Sequence, residues 1–199
     1  ILSIKDIILE AKDDNRFGFE EPYSDLARAL NRTQKGKNFK SFSDARQMVG
    51  DMVHGRLEFD DDKKEWQFRD NSRKVYEISM TSEGVKKLSI LDLLLGNHYL
   101  DDKSIIIIDE IEANLHPSLI TRLLDTIQLL AQAGVQFFIA SHSYFVIKRL
   151  YIMAHRADCS IPVLSFENGE CVVGNLQHQM PQNPIIDESI NLYKDEISL

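Results

Sequence analysis

The sequence predicts an α/β fold in which helices flank a parallel sheet, accompanied by a small antiparallel meander and an N-terminal helical segment. Two observations carry this prediction. Four isoleucines at 105–108 show no apolar–polar alternation, which is typical of a strand that is buried on both faces. A second apolar run at 135–140 follows after a helical period, and a strand, a helix and a strand in this order predict a right-handed parallel crossover.

The residues upstream of the isoleucine run change from helical spacing to short strands. Apolar spacing predicts helices over three ranges, 1–12, 23–31 and 42–52. Three strand-like runs with polar turns between them predict the antiparallel meander, at 56–59, 65–68 and 75–80. We expect residues 1–49 to form a helical segment, either the end of a coiled coil or an insertion, and residues 50–199 to form the main lobe.

The helices around the isoleucine run have recognisable ends. Ser82 is placed to cap a helix whose apolar residues repeat up to Leu95, and Gly96 ends this helix. Pro117 fits the first turn of the crossover helix, which Gly134 ends. Beyond the second apolar run, the sequence predicts a helix over 144–156, a hairpin with strands at 161–166 and 171–176, and a terminal helix over 185–197.

Charge and cysteine content limit the classes of protein. The formal net charge of −8 and the pI near 5.2 argue against generic wrapping of nucleic acid. A basic run between Arg28 and Arg46 either contacts DNA phosphates or forms a solvated surface. Cys159 and Cys171 fit no metal-binding spacing and indicate a reducing compartment, so we expect a cytoplasmic protein. No apolar stretch approaches the roughly 20 residues of a membrane span, and we expect no membrane partner.

Two carboxylates, Asp109 and Glu110, directly follow the isoleucine run. In open α/β sheets, ligands bind beyond the carboxyl ends of the strands. His142 follows the second apolar run, so we expect it on the same edge. A hydrophobic strand that ends in Asp and Glu is the Walker B pattern, whose Asp holds Mg²⁺ at nucleotide phosphates and whose Glu orients and deprotonates the attacking water. The competing interpretation is a buried strand followed by a charged loop.

Three motifs resemble those of one family. D-E-I-E-A-N-L-H-P at 109–117 resembles the Walker B and D-loop region of ABC-type ATPase heads, and A-S-H-S at 140–143 resembles their switch histidine. T-S-E-G-V-K-K at 81–87 is similar to the ABC signature motif in a divergent S-x-G form; alternatively, it is a capped helix start with an incidental glycine. The likeness is greatest to the bacterial single-chain AAA-type group related to the Rad50, SMC, RecF and OLD ATPases.

This resemblance implies ATP and Mg²⁺ as cofactors and assigns residues to the site. It implies Asp109 as the metal ligand, Glu110 as a catalytic residue and His142 as a second catalytic residue that contacts the γ-phosphate. It also implies nucleotide contacts from residues of the signature and D-loop motifs, namely Ser82, Gly84, Lys86, Asn114 and His116. For His116, a cap on the helix that starts at Pro117 is an equal alternative. Glu112 lies either near the metal or beside a neighbouring base.

The Walker A pattern G-x-x-x-x-G-K-[ST] does not occur in the sequence, since Gly36-Lys37 is followed by Asn38. We therefore interpret the chain as the P-loop NTPase (ABC-type) C-terminal lobe of an ATPase head, and we expect the chain alone to be inactive. The expected partners are an N-terminal lobe that carries Walker A and a second head in an ATP-dependent homodimer.

The resembling group works in DNA repair and in antiviral defence against phage, often beside a nuclease or toxin. The resemblance therefore implies such a partner, and it leaves DNA as a further one. Because the chain has no Walker A motif, a rival hypothesis from another class of protein stays open. In that hypothesis the chain is a non-catalytic interaction module that uses nucleotide only to gate assembly with a partner effector.

Overall fold

The computed structural model describes residues 21–31, 40–60, 62–63, 65–167 and 169–199. The predicted helix over 1–12 and part of the basic run lie outside these residues. The chain divides into two compact units. One comprises the described residues up to Ile106 together with Asp125–Phe137, and the other comprises Ile107–Leu124 together with Phe138–Leu199. Both units contain helices and strands, so the predicted α/β class is confirmed. Among the described residues, no helix has the length and apolarity needed to cross a membrane.

The described part of the first unit begins with two helices and the meander. The helices are α1 (Glu21–Asn31) and α2 (Lys40–Val53), and the strands are β1 (Gly55–Asp60), β2 (Glu65–Asp70) and β3 (Val75–Glu77). Neighbouring strands pair antiparallel in this order, which confirms the predicted meander. The third strand is shorter than predicted, because a 3-10 helix at Ile78–Met80 replaces its second half.

Helix α3 (Glu83–Gly96) packs against α2 and β1 within the first unit. Its inward residues Leu88 and Leu95 are almost fully buried, as are Phe42 and Val49 of α2. An ion pair between Arg46 Nε and Asp92 Oδ1, 3.1 Å apart, joins the two helices. Apolar burial supplies most of the stabilisation here, because an ion pair that is partly open to water contributes little.

The predicted crossover is formed by β4 (Ile105–Ile108), α4 (Pro117–Gln132) and β5 (Gln136–Ile139). The N–H groups of Gln136 and Ala140 donate to the carbonyls of Ser104 and Ile108, both at 2.9 Å. Because both partners advance in the same direction along the chain, β4 and β5 run parallel. The predicted apolar stripe of α4 is buried, at Ile120, Leu123, Leu124, Ile127 and Leu130. Gly134 follows the helix with a φ of 107°, a conformation that favours glycine.

The prediction that the isoleucine strand is buried on both faces is wrong. Exposure alternates along β4 and β5, and one face of each strand is open to solvent. On that face Ile105 is 61% exposed, Ile107 is 78% exposed and Phe138 is 53% exposed. Since large apolar side chains are costly to leave in water, the sequence is suited to a covered face that this chain leaves open.

The second unit ends with a helix, a hairpin and a terminal helix. They are α5 (Tyr144–Arg156), β6 (Pro162–Glu167), β7 (Glu170–Asn175) and α6 (Pro184–Ile197). A hydrophobic cluster of Ile147, Ala154, Leu176 and Ile186 joins these elements. Asn183 caps α6 by accepting a hydrogen bond from the N–H of Ile186 at 3.1 Å. The predicted bounds of α5 are confirmed. Each hairpin strand is shifted by one residue from its predicted bounds, and α6 begins one residue earlier than predicted.

Candidate functional site

The two acids and the histidine lie where β4 and β5 end. The hydrogen bond from Ala140 N–H to the Ile108 carbonyl, 2.9 Å long, holds these two strand ends side by side. Asp109 therefore begins one loop of the site, and Ser141 begins the loop beside it. The side chains of Asp109, Glu110 and His142 are all exposed. The prediction that His142 lies on the same edge as the two acids is confirmed.

Glu110 and His142 are in direct contact. The Nε2 atom of His142 lies 3.2 Å from Oε1 of Glu110, and their side chains are 71% and 54% exposed. A carboxylate only accepts, so a hydrogen bond at this contact needs an imidazole that carries a proton on Nε2. A carboxylate and an imidazole that lie this close and both face solvent can move a proton and donate to an oxyanion at one place.

The backbone at Glu110 is unusual. Its φ is 46°, in the left-handed region that residues with a Cβ atom rarely adopt. The carbonyl of Glu110 accepts a hydrogen bond from Ala113 N–H at 2.9 Å, and the side chain of Ile111 is fully buried. The turn and this buried anchor therefore hold the left-handed conformation at the carboxylate, a conformation that five other non-glycine residues of the described chain also adopt.

Glu112 binds the loop that carries His142. One of its carboxylate oxygens accepts from the Ser141 hydroxyl at 2.8 Å, and the other accepts from the His142 backbone N–H at 3.2 Å. These partners are a hydroxyl and an amide rather than the expected base. Sequence reasoning missed this role of Glu112 and Ser141; the only signal for it was a hydroxyl residue directly before the histidine. The expected place of Glu112 near the metal stays a prediction.

Asn114 and His116 lie further along the same turn. Asn114 is exposed and has a φ of 61°, which asparagine tolerates better than most residues. The Nδ1 atom of His116 accepts a hydrogen bond from Ser118 N–H at 3.2 Å, and its carbonyl accepts from Ile120 N–H at 3.1 Å. His116 thus caps the start of α4, which is one of its two expected roles.

The residues of the signature-like motif lie in the first unit. Ser82 caps α3 as predicted, since its hydroxyl oxygen accepts a hydrogen bond from Val85 N–H at 3.3 Å. Gly84 is buried in the first turn of the helix. The ammonium group of Lys86 is paired with Glu83 at 2.7 Å. The N-terminus of a 14-residue helix favours a phosphate, and that chemistry fits this motif.

The donor set at the end of β4 fits Mg²⁺. Mg²⁺ binds hard oxygen ligands and is usually held by one or two carboxylates, with waters and substrate phosphates completing its shell. Asp109 offers an exposed carboxylate of this kind. Within the described part of the chain, no group of three or more His, Cys, Asp or Glu residues is arranged to hold a metal, so a site made only of protein ligands is not present there.

The loop before β4 is fixed by Asp101. Its carboxylate accepts from the Ser104 hydroxyl at 2.9 Å and from Lys103 N–H at 3.0 Å. These hydrogen bonds, the one from Ser104 first, hold the pKa of Asp101 below its usual range. The start of β4 is therefore set by a charged turn, and its end by the turn after Glu110.

Comparison with known proteins adds a family and a set of similar structures. The family model "AAA domain, putative AbiEii toxin, Type IV TA system" matches residues 5–148. No curated protein matches the chain. The chain is similar to an SMC head bound to the C-winged helix domain of ScpA, with 18% identity, 86% of this chain and 48% of that chain covered, and a TM-score of 0.48.

Two further SMC heads are similar at the same level. For the SMC head domain from Thermotoga maritima the identity is 17%, the coverage is 76% of this chain and 51% of that chain, and the TM-score is 0.43. The third is the head with an extended coiled coil from Pyrococcus furiosus, bound to the C-terminal domain of ScpA. Its identity is 16%, the coverage is 94% of this chain and 44% of that chain, and the TM-score is 0.47. The chain spans about half the length of these solved structures.

Proposed function

Since the chain belongs to the family described as "AAA domain, putative AbiEii toxin, Type IV TA system" and is thus an ATPase-type, nucleotide-binding domain, we propose that it is the C-terminal lobe of an ABC-type ATPase head. In this proposal the complete head hydrolyses ATP with Mg²⁺. The observation that carries the proposal is the contact between Glu110 and His142, 3.2 Å apart where two parallel strands end.

The proposed roles follow from the chemistry of each side chain. Glu110 takes the proton of the attacking water, because an exposed carboxylate at the end of a strand can act as a general base. His142 turns its Nε2–H to a γ-phosphate oxygen and stabilises the charge that develops there. Asp109 holds Mg²⁺, which when bound neutralises phosphate charge.

A second head completes the site in this proposal. The N-terminus of α3, with Ser82 and Gly84, contacts the γ-phosphate of a nucleotide held by the partner head. Lys86 joins this contact by exchanging its ion pair with Glu83 for a phosphate oxygen. Asn114 and His116 face the nucleotide from the D-loop, with the cap of α4 keeping His116 in place.

The phosphate cradle is assigned to another lobe, because the sequence has no Walker A motif. The exposed apolar face of β4 and β5 supports a covering lobe: Ile105, Ile107 and Phe138 leave more apolar surface open than a strand in the middle of a sheet does. We assign the N-terminal lobe of the parent protein to this face, and the division at residue 50 belongs to the same proposal.

The biological setting is proposed from the resemblance of the sequence motifs to the Rad50, SMC, RecF and OLD group. Work in DNA repair or anti-phage defence, with a nuclease or toxin as partner, is proposed for the complete head. A cytoplasmic location fits the two unpaired thiols, Cys159 and Cys171. The missing Walker A motif favours one alternative, a non-catalytic module in which nucleotide only gates assembly with a partner effector.

The mass of the parent protein in solution separates these functions. With ATP and Mg²⁺, the E110Q variant is expected to accumulate as a dimer in light scattering, because binding persists while hydrolysis stops. Adding S82R should return it to monomers, whereas S72R, on the turn between β2 and β3, should not. A wild-type protein that assembles with ATP and never hydrolyses it would favour the non-catalytic module. An E110Q protein that stays monomeric with or without S82R would contradict the dimer.

A further inference from the structure

Glu112 holds the backbone of His142 through two hydrogen bonds. The Ser141 hydroxyl donates to Oε2 at 2.8 Å, and the His142 N–H donates to Oε1 at 3.2 Å. A carboxylate offers an acceptor on each of its two oxygens, whereas a glutamine side chain offers only one acceptor oxygen. Both carboxylate oxygens of Glu112 therefore accept hydrogen bonds from a loop that is distant in sequence.

The Ser141 hydroxyl links Glu112 to the start of α5. Its oxygen accepts a hydrogen bond from Ser143 N–H at 3.1 Å while its proton goes to Glu112. Ser143 is the N-cap residue of α5, and its own side chain makes no capping hydrogen bond. Ser141 thus satisfies the N–H of the cap residue itself, whereas a usual cap satisfies an N–H inside the first turn. The helix dipole favours the negative charge of Glu112 at this end.

Glu112 is itself fixed from the other side. The side chain of the preceding Ile111 is fully buried, and the Glu112 carbonyl accepts from Leu115 N–H at 3.2 Å. The turn after β4 and the loop after β5 are consequently tied together at the position that brings the His142 ring to Glu110. We call the contacts of Glu112 with Ser141 and His142 the Glu112 latch.

We propose that Glu112 is a positioning residue, which holds the His142 backbone so that the imidazole meets Glu110 and the γ-phosphate. The latch is a feature of the fold, and its effect on hydrolysis rests on the proposed function. His142 is exposed, so its ring depends on two contacts: Nε2 lies 3.2 Å from Glu110, and the hydrogen bond to Glu112 fixes the backbone from which the ring extends. A displacement of about 1 Å at such a group costs about 10²-fold in rate.

Amide hydrogen exchange on the 199-residue chain tests the latch without nucleotide. In E112A, the amides of His142 and Ser143 should exchange about 10- to 100-fold faster, because a hydrogen bond to a charged acceptor is lost. E112Q should lie between E112A and the wild type. E188A, which removes an exposed carboxylate of α6, should leave both exchange rates unchanged. Unchanged exchange at the amides of α4 shows that the fold of each variant is intact. Equal rates in E112A and wild type would overturn the latch.

ATP hydrolysis by the parent protein tests the positioning role. E112A should lower kcat about 10²-fold with KM for ATP little changed. In a protein that already carries H142A, E112A should lower kcat no further, because Glu112 acts through His142. Rate losses that multiply in the double variant would overturn the proposal. A wild-type protein that does not hydrolyse ATP would overturn the proposed function and the catalytic part of this inference, while exchange would still decide the latch.

Discussion

Replacing Glu110 by glycine should leave the chain more stable than replacing it by alanine, although both changes remove the same carboxylate. The φ of Glu110 is 46°. A residue with a Cβ atom adopts such a left-handed conformation at a cost of about 1–2 kcal/mol, and glycine adopts it freely. The larger entropy of glycine in the unfolded chain offsets about 0.5–1 kcal/mol of this gain. The expected net difference is about 0.5–1 kcal/mol in favour of E110G.

Thermal unfolding followed by circular dichroism measures this difference. For a chain of 199 residues, about 1 kcal/mol corresponds to a Tm shift of about 2–4 °C. The pair E188G and E188A is the matched control, because Glu188 lies exposed inside α6. There the order should reverse, with glycine less stable by about 1 kcal/mol. If E110A were as stable as E110G, the backbone at residue 110 would not be strained, and the reasoning would be refuted.

An acidic side chain of the meander, a glycine turn and the exposed sheet face give the remaining predictions. Arg69 holds the pKa of Glu58 below its ordinary value of 4.5, so Glu58 stabilises the fold above that value and loses this effect as the pH falls through its lower folded pKa. E58Q should therefore lower the urea midpoint at pH 7 more than at pH 3; an equal loss at both would contradict the shift. G134A should cost about 1–3 kcal/mol in urea unfolding, because φ is 107° and a Cβ would meet a carbonyl oxygen at 2.6 Å; an unchanged midpoint would contradict this strain. I107S should change the free energy of unfolding by at most about 0.5 kcal/mol, since the residue is 78% exposed, whereas L124A at a fully buried site should cost about 2–5 kcal/mol; equal losses would contradict the exposed face.

The elements were predictable where the signal is local. Ser82 and Pro117 mark helix starts because their side chains satisfy or remove the free N–H groups there, and the structure has both helices. Gly134 marks a helix end because only glycine adopts its φ without strain. Such signals depend on a few neighbouring residues, so they predict helix ends without knowledge of the tertiary structure.

The burial of β4 was not predictable from its residues. The run of isoleucines indicates what the strand is suited to bury, but it does not show whether a covering element is present in the same chain. Ile105 and Ile107 are exposed because the described residues place nothing over that face. The pattern thus predicted the strand and its parallel partner correctly and its environment wrongly.

The residues of the candidate site were predictable, whereas the hydrogen bonds between them were not. The strand-end rule placed Asp109, Glu110 and His142 at one edge, because it depends only on chain direction. The hydrogen bonds of Glu112 to Ser141 and His142 join positions about thirty residues apart, and no local pattern encodes such a pairing. The left-handed φ of Glu110 was not predictable from the sequence either, since glutamate has no preference for that conformation.

ATP turnover by the E110Q variant of the parent protein tests the assignment of Glu110 most directly. ATP binding and single-turnover hydrolysis should be measured side by side for wild type and variant, with Mg²⁺ present. We expect the affinity for ATP to be retained and the hydrolysis rate to fall about 10²- to 10⁴-fold, because glutamine cannot accept the proton of the attacking water. An E110Q protein that hydrolyses ATP at the wild-type rate would contradict the account.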